Sequence, residues 1–286
     1  MNIRKVYAYI GFVVLSLFMG GCTEKIDLDL DVMELTPVIT GVISNEEQWV
    51  RLSTTSAYLN GGEGKAISNA NVTVSDGVAS YVFQESIEEK GLYVLFSPIT
   101  INSNLEYKLS VEADFDGDGV KQEFYATSKV APTPQLDSIT MQVMRMFDDL
   151  FWFVQINYQD VPQLNSYLCR TFVNDILDVG LESYDIFDNR YGQGDYMGHK
   201  LVAVLFERPL SEDKIQVGDV IKVSFSGITK EYFDFLYSAK SETGGKNPIF
   251  DGPPANVRGN ISDGALGMFT VYKAYSLSVV VADVYL

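Results

Sequence analysis

Tyr107-Lys108-Leu109-Ser110-Val111-Glu112-Ala113 carries an apolar side chain at every odd position and a polar one between. A period of two marks a strand with one face on a core and the other in water. Moving outward, similar alternation predicts strands at 38–44, 49–55, 70–75, 80–84, 92–97 and 123–129. Asn60-Gly61-Gly62, Asp76-Gly77, Asn102 to Asn104 and Asp116-Gly117-Asp118-Gly119 separate these runs with turn-forming residues. Seven short strands with no helical period predict an immunoglobulin-like β-sandwich over residues 36–130. The Cys-Trp-Cys mark of antibody domains is missing, so only the architecture is implied.

Ala131-Pro132-Thr133-Pro134 ends this block, and residues 131–136 read as a stiff linker because neither proline can donate to a ladder. A second β domain is expected over 137–286, with strands at 138–146, 151–158, 167–173, 200–206, 219–226, 267–274 and 277–284. One helix is expected at 230–242, capped by Thr229, favoured at its start by Glu231 and closed by Gly244-Gly245. Its Phe233, Leu236 and Tyr237 are expected to face the sheet. The fold class is thus mainly β: two sandwich-like domains, the first immunoglobulin-like, the second with one packed helix.

Composition supports a folded chain. Of 286 residues, 47% are hydrophobic and 21% charged, which excludes whole-chain disorder and collagen-like repeats. One His and two Cys exclude zinc clusters and multi-disulfide scaffolds. The net charge of −17 repels phosphate backbones, so no nucleic-acid partner is expected.

The first 22 residues, MNIRKVYAYIGFVVLSLFMGGC, set the expected compartment. Arg4 and Lys5 precede an apolar run at 6–19, of signal length and short for a membrane span. Met19-Gly20-Gly21-Cys22 resembles a bacterial lipobox, with Met where Leu is usual. That resemblance implies a signal peptide at 1–21, cleavage before Cys22, and acylation of Cys22 by palmitate-like chains, which together make a stable anchor. Loss of Arg4 and Lys5 would leave 19 basic and 38 acidic groups, a net of −19. Residues 22–35 read as an acidic tether. Acidic residues after the acylated Cys resemble the surface-export signals of some Gram-negative lipoproteins, which favours the cell-surface side of the outer membrane and leaves the periplasmic side as the alternative.

Three stretches carry a wider resemblance. The tether runs straight into Thr36-Pro37-Val38-Ile39-Thr40-Gly41. Ala70-Asn71-Val72-Thr73-Val74-Ser75-Asp76-Gly77 is followed by Ala131-Pro132-Thr133-Pro134-Gln135-Leu136-Asp137-Ser138-Ile139. Pro254-Ala255-Asn256-Val257-Arg258-Gly259-Asn260-Ile261 is followed by Ala265-Leu266-Gly267-Met268-Phe269. Their order resembles the Bacteroidota lipoprotein family called domain of unknown function 4249. Met268 stands where an aromatic is expected. The resemblance implies a β-rich outer-membrane lipoprotein, often encoded near TonB-dependent receptors, with no catalytic residues to carry over. By itself, Asp251-Gly252-Pro253-Pro254 predicts an irregular loop, and Asn256, Gly259 and Asn260 can hold turns at positive φ.

Two segments are candidates for binding. Asp114, Asp116 and Asp118, with Gly119 sixth, match the start of a calcium loop, but position twelve is Tyr125 and the flanks are strands. A hairpin turn is the first reading and a calcium site of non-EF type the second. Residues 175–199 show no clear period, interleaving Asp175, Asp178, Glu182, Asp185, Asp188 and Asp195 with Tyr184, Phe187, Tyr191 and Tyr196. Tyr184, Asp185, Asp188, Tyr191 and Tyr196 are the candidate contacts for a sugar, peptide or protein. Cys169 reads as a small buried hydrophobe and His199 as a hydrogen-bonded structural residue. No catalytic constellation emerges. The expected role is a non-enzymatic accessory or ligand-binding partner of a TonB-dependent transporter. Surface adhesion or envelope structure is the alternative, and a carboxylate glycan hydrolase a third reading.

Overall fold

The computed structural model describes residues 35–55, 64–146, 149–177, 183–206, 215–243 and 257–282. The signal peptide, Cys22, tether residues 22–34, Asp178, Glu182, Gly244-Gly245 and the loop 251–256 lie outside the described residues. From Leu35 onward the chain forms one compact unit.

The first block is built as the alternation requires. Its strands are β1 (Pro37–Ile43), β2 (Gln48–Thr54), β3 (Asn71–Ser75), β4 (Ser80–Glu85), β5 (Leu92–Val94), β6 (Glu106–Ala113) and β7 (Gln122–Lys129). The odd positions of β6 are buried, with Tyr107, Leu109, Val111 and Ala113 at most 1% exposed. They meet Ile39, Val50, Leu52, Val72 and Val74 in one core. β4 pairs with β3 through Val72↔Phe83 and then with β5 through Gln84↔Val94, so one ribbon of strands folds into two layers. The Asp76-Gly77 turn forms as expected. Backbone N–H groups of Ala79 and Val78 donate to Asp76 Oδ1 at 2.7 and 2.9 Å, and these bonds hold the carboxyl below its usual range.

The strand expected at 267–274 in the second block goes elsewhere. Chain order places it after the helix, but residues 257–272 return to the first sandwich as a strap. Phe269–Val271 (β15) pairs in parallel with β1 from Gly41↔Phe269 to Ile43↔Val271. Glycine makes this approach possible. Gly267 has φ +102°, and a Cβ there would lie 2.0 Å from the Ile39 carbonyl oxygen. Asn260 grips the strap by accepting the Phe269 N–H at 2.8 Å and donating to the Phe269 carbonyl at 2.8 Å. The strap also covers the edge of β7: Ser262 N–H donates to the Tyr125 carbonyl, Tyr125 N–H to Ser262 Oγ, and Val271 N–H to Ser128 Oγ.

The second block holds β8 (Leu136–Met146), β9 (Asp149–Gln159), β10 (Ser166–Val173), β11 (Ile176–Leu177), β12 (Tyr184–Asp188), β13 (Tyr196–Phe206), β14 (Val220–Ile228), α1 (Lys230–Thr243) and β16 (Ala274–Val280). One sheet runs β13-β9-β8. The other runs β10-β14-β16, with β11 and β12 both on β10. Trp152, Val154, Ile156 and Tyr158 of β9 pack against Tyr167, Cys169, Val223 and Phe225 of β10 and β14. β12 falls in the stretch read as aperiodic. It lies between two packed surfaces, so all five of its residues are half-buried and neither face is purely polar.

Thr229 caps α1, its Oγ1 accepting the Tyr232 N–H at 3.2 Å. The buried face is Tyr232, Leu236 and Ala239, a spacing of four and three. Tyr237, expected to face the sheet, is 62% exposed, while Phe233 stays half-buried. Among the described residues no helix is long and apolar enough to cross a membrane.

Candidate functional site

A buried polar cluster joins the two sandwiches. The β1–β2 turn is tightened by Ser44, whose Oγ accepts the N–H groups of Glu46 and Glu47 at 3.1 and 3.0 Å. The turn thereby presents both carboxylates to Arg170 on β10, which is 3% exposed. Arg170 Nη2 lies 3.3 Å from Glu46 Oε2, and Nη1 donates to Glu47 Oε1. The remaining carboxylate lone pairs are also used. Ser224 donates to Glu46 at 2.6 Å, Tyr272 and Trp49 donate to Glu47 at 2.9 and 3.1 Å, and Ser276 donates to Glu46. Burial alone would lower the Arg170 pKa, but Tyr272, Glu47, Tyr184 and Glu46 outweigh it and hold the guanidinium above its usual range. Burial, reinforced by Glu47, pushes the Tyr272 hydroxyl up. Asn45 completes the clamp by exchanging hydrogen bonds of 2.7 and 3.1 Å with the Ala274 backbone.

The stretch expected to be a stiff linker is tied into the same seam. Pro132 O accepts from Asn165, while Thr133 Oγ1 accepts the Gly227 N–H and donates to the Lys273 carbonyl. Sequence reasoning missed the clamp. Its only signal is an Arg at an inward-facing strand position between apolar neighbours, and its partners lie over 120 residues away.

Asp114, Asp116 and Asp118 do converge. Their ligand atoms all lie within 4.8 Å of one another on the exposed β6–β7 turn. Gly117 and Gly119 adopt φ of +84° and +88°, which closes the turn. Gly117 and Gly119 N–H donate to Asp114 at 2.6 and 2.9 Å, Asp118 N–H to Asp116 at 3.2 Å, and Val120 N–H to Asp118 at 2.6 Å. The Asp118 N–H first, and then the Gln122 side-chain amide, which donates to Asp116 Oδ2 at 3.0 Å, keep the Asp116 carboxyl below its usual range. Three oxygens could hold a calcium ion, but they are at most half of the roughly six to eight that it takes, so carbonyls or water would have to supply the rest.

The five residues singled out in 175–199 do not form one site. β12 alternates, so Asp185 and Phe187 face the inter-sheet core beside Cys169, and Tyr184 and Ile186 face the α1 side. Asp185 and Asp188 therefore leave opposite faces and do not flank a common bond. Burial raises the Asp185 pKa against the opposing pull of Lys200 and Lys240. Asp188 is held low by hydrogen bonds from Arg190. Tyr191 is 95% exposed on the turn between β12 and β13, and Tyr196, the first residue of β13, is 57% exposed. Cys169 is 1% exposed in the core, where burial pushes its thiol up. His199 sits at a β13 bulge with φ 56°, its N–H donating to Asn157 and its ring Nδ1 3.1 Å from Gln155.

A body of two fused β-sandwiches, closed by a strap and a buried charge clamp, is the class defined by these features. The chain belongs to the family DUF4249, a domain of unknown function, whose model matches residues 23–278. No curated protein matches the chain. Among solved structures it is similar to the crystal structure of the chicken CNTN1 FN1–FN3 domains, at 12% identity and a TM-score of 0.24. That match covers 67% of this chain and 60% of the other, so the chain spans about three fifths of that structure's length.

Proposed function

We propose that the chain is a non-enzymatic lipoprotein held at the outer membrane through acylated Cys22. In this reading it presents or receives ligand as an accessory of a TonB-dependent transporter, from the surface side. The single observation that carries the reading is the order of parts. A lipobox-like Met19-Gly20-Gly21-Cys22 is followed by a short acidic stretch, and the compact body begins at Leu35. Several acyl chains at ~0.8 kcal/mol per buried CH₂ suffice to hold such a body at a membrane. The fused sandwiches support the role of a rigid presenter, since a partner gains most from a surface that need not be ordered on binding.

Two measurements test this. Mass spectrometry of the native polypeptide should give an N-terminal acylated Cys22, and Cys22→Ala should move the protein to the soluble fraction. Affinity capture of the lipidated chain should enrich an outer-membrane β-barrel. Capture without such a barrel removes the transporter role and leaves the anchor standing.

A further inference from the structure

A cavity of about 510 Å³ opens on the first sandwich where β4 leaves β3. The β3–β4 ladder runs from Ser75↔Ser80 to Val72↔Phe83, and the next residue, Gln84, pairs instead with Val94 of β5. The strands part there, and residues 69–73 and 82–85 line the fork together with Tyr93. The fork is braced from within. Ala70 N–H donates to the Tyr93 hydroxyl at 3.0 Å, which donates on to the Ile67 carbonyl at 3.0 Å, and Tyr93 is 1% exposed. Asn69 and Gly91 N–H donate to the Glu85 carboxylate at 3.1 and 3.0 Å.

This bracing decides what the cavity can take. The backbone N–H groups of Asn69 and Ala70 are already served, so an added strand would find no open row of donors there. Left without partners among the described residues are the side-chain amides of Asn69 and Gln84 and the Thr73 hydroxyl, beside a Val82 side chain that is 62% exposed. Each planar amide offers a donor and an acceptor side by side, which matches neighbouring hydroxyls on a ring. Ala70 and Val82 offer an apolar surface for the C–H face of such a ring. The lining holds no Lys or Arg, while Glu85 lines it and Glu112 accepts from Asn71 at its edge, so an anion is repelled. The volume falls in the range of small-molecule sites.

We propose that this fork is a binding site for a neutral, polyhydroxylated ligand of mono- to disaccharide size. Such binding is a property of the folded body and does not depend on the anchor or the transporter.

The test uses the full chain in lauryldimethylamine oxide micelles, because that detergent carries no sugar headgroup. The probes are glucose, galactose, N-acetylglucosamine, maltose and cellobiose, with glucuronate as the anionic counterpart of glucose, read by saturation-transfer NMR and titration. At least one neutral probe should bind at millimolar Kd or tighter, and glucuronate more weakly than glucose. Gln84→Ala and Asn69→Gly, the latter keeping the positive φ, should each weaken binding about tenfold, as expected for the loss of one good hydrogen bond. Both sites are exposed, and an unchanged circular dichroism spectrum separates lost contact from lost fold. Tyr191→Ala and Tyr196→Ala should bind as wild type. Failure of every neutral probe overturns the proposal, as does binding indifferent to Gln84→Ala and Asn69→Gly. Binding abolished by Tyr191→Ala would overturn it too, by moving the site to the β12–β13 turn.

Discussion

The strap and the clamp hold the same two sandwiches together by opposite chemistry. The strap is apolar where it counts, with Phe269 and Val271 fully buried in the first core and glycines letting backbone meet backbone. The clamp is a buried guanidinium between two carboxylates, with hydroxyls and an indole N–H on the remaining lone pairs. Burial of apolar area stabilises without needing a particular partner. A buried ion pair contributes little net stability, because desolvation offsets its attraction, yet it becomes costly as soon as one member is lost. The strap therefore stabilises the joint, while the clamp penalises any arrangement that leaves Arg170 without its two carboxylates.

That contrast can be broken at either end. Phe269→Ala should cost about 3–5 kcal/mol, because the cavity opens in the middle of the first core and removes the β15 anchor. Urea unfolding of full-length variants measures it. Arg170→Ala should cost about 3–5 kcal/mol by stranding Glu46 and Glu47. Replacing Arg170, Glu46 and Glu47 together by apolar residues of similar volume should recover most of that loss. If the triple variant is as unstable as the single one, the clamp contributes net stability and the contrast fails. Asn260→Ala should cost less, about 1–3 kcal/mol, by leaving the Phe269 N–H and C=O unpaired.

Asp185 sharpens the comparison, since it is a half-buried carboxylate that no clamp surrounds. Burial raises its folded pKa above the ordinary aspartate value, so the folded state binds the proton more readily than the unfolded one. The stability it contributes is present below the unfolded pKa and is lost as pH rises through the folded one. Asp185→Asn should therefore raise the melting temperature slightly at neutral pH, and the gain should vanish in acid. A melting series from pH 3 to pH 7 checks both the sign and the window.

Much of this fold was legible because each strand of the first block has one wet and one dry face. The residues of β6 alternate in sequence as they do in burial, and the Asp76-Gly77 turn forms where its residues require. Three features were illegible for physical reasons. β15 is only three residues long and pairs with a strand more than 220 residues earlier, so nothing local records its partner. β12 is half-buried on both faces, which erases the period of two. Nothing in the sequence around Glu46 and Glu47 points to Arg170, which the fold brings to them from more than 120 residues away. The β6–β7 hairpin at Asp114 was legible because its glycines and aspartates fix the turn locally.

Strap and clamp together make the described body one cooperative unit from Leu35 onward. Differential scanning calorimetry of the full chain tests it most directly. A single transition with equal calorimetric and van't Hoff enthalpies is the predicted result, and Arg170→Ala should shift that transition downward without splitting it. Two separate transitions in the unmodified protein, one for each sandwich, would contradict the account.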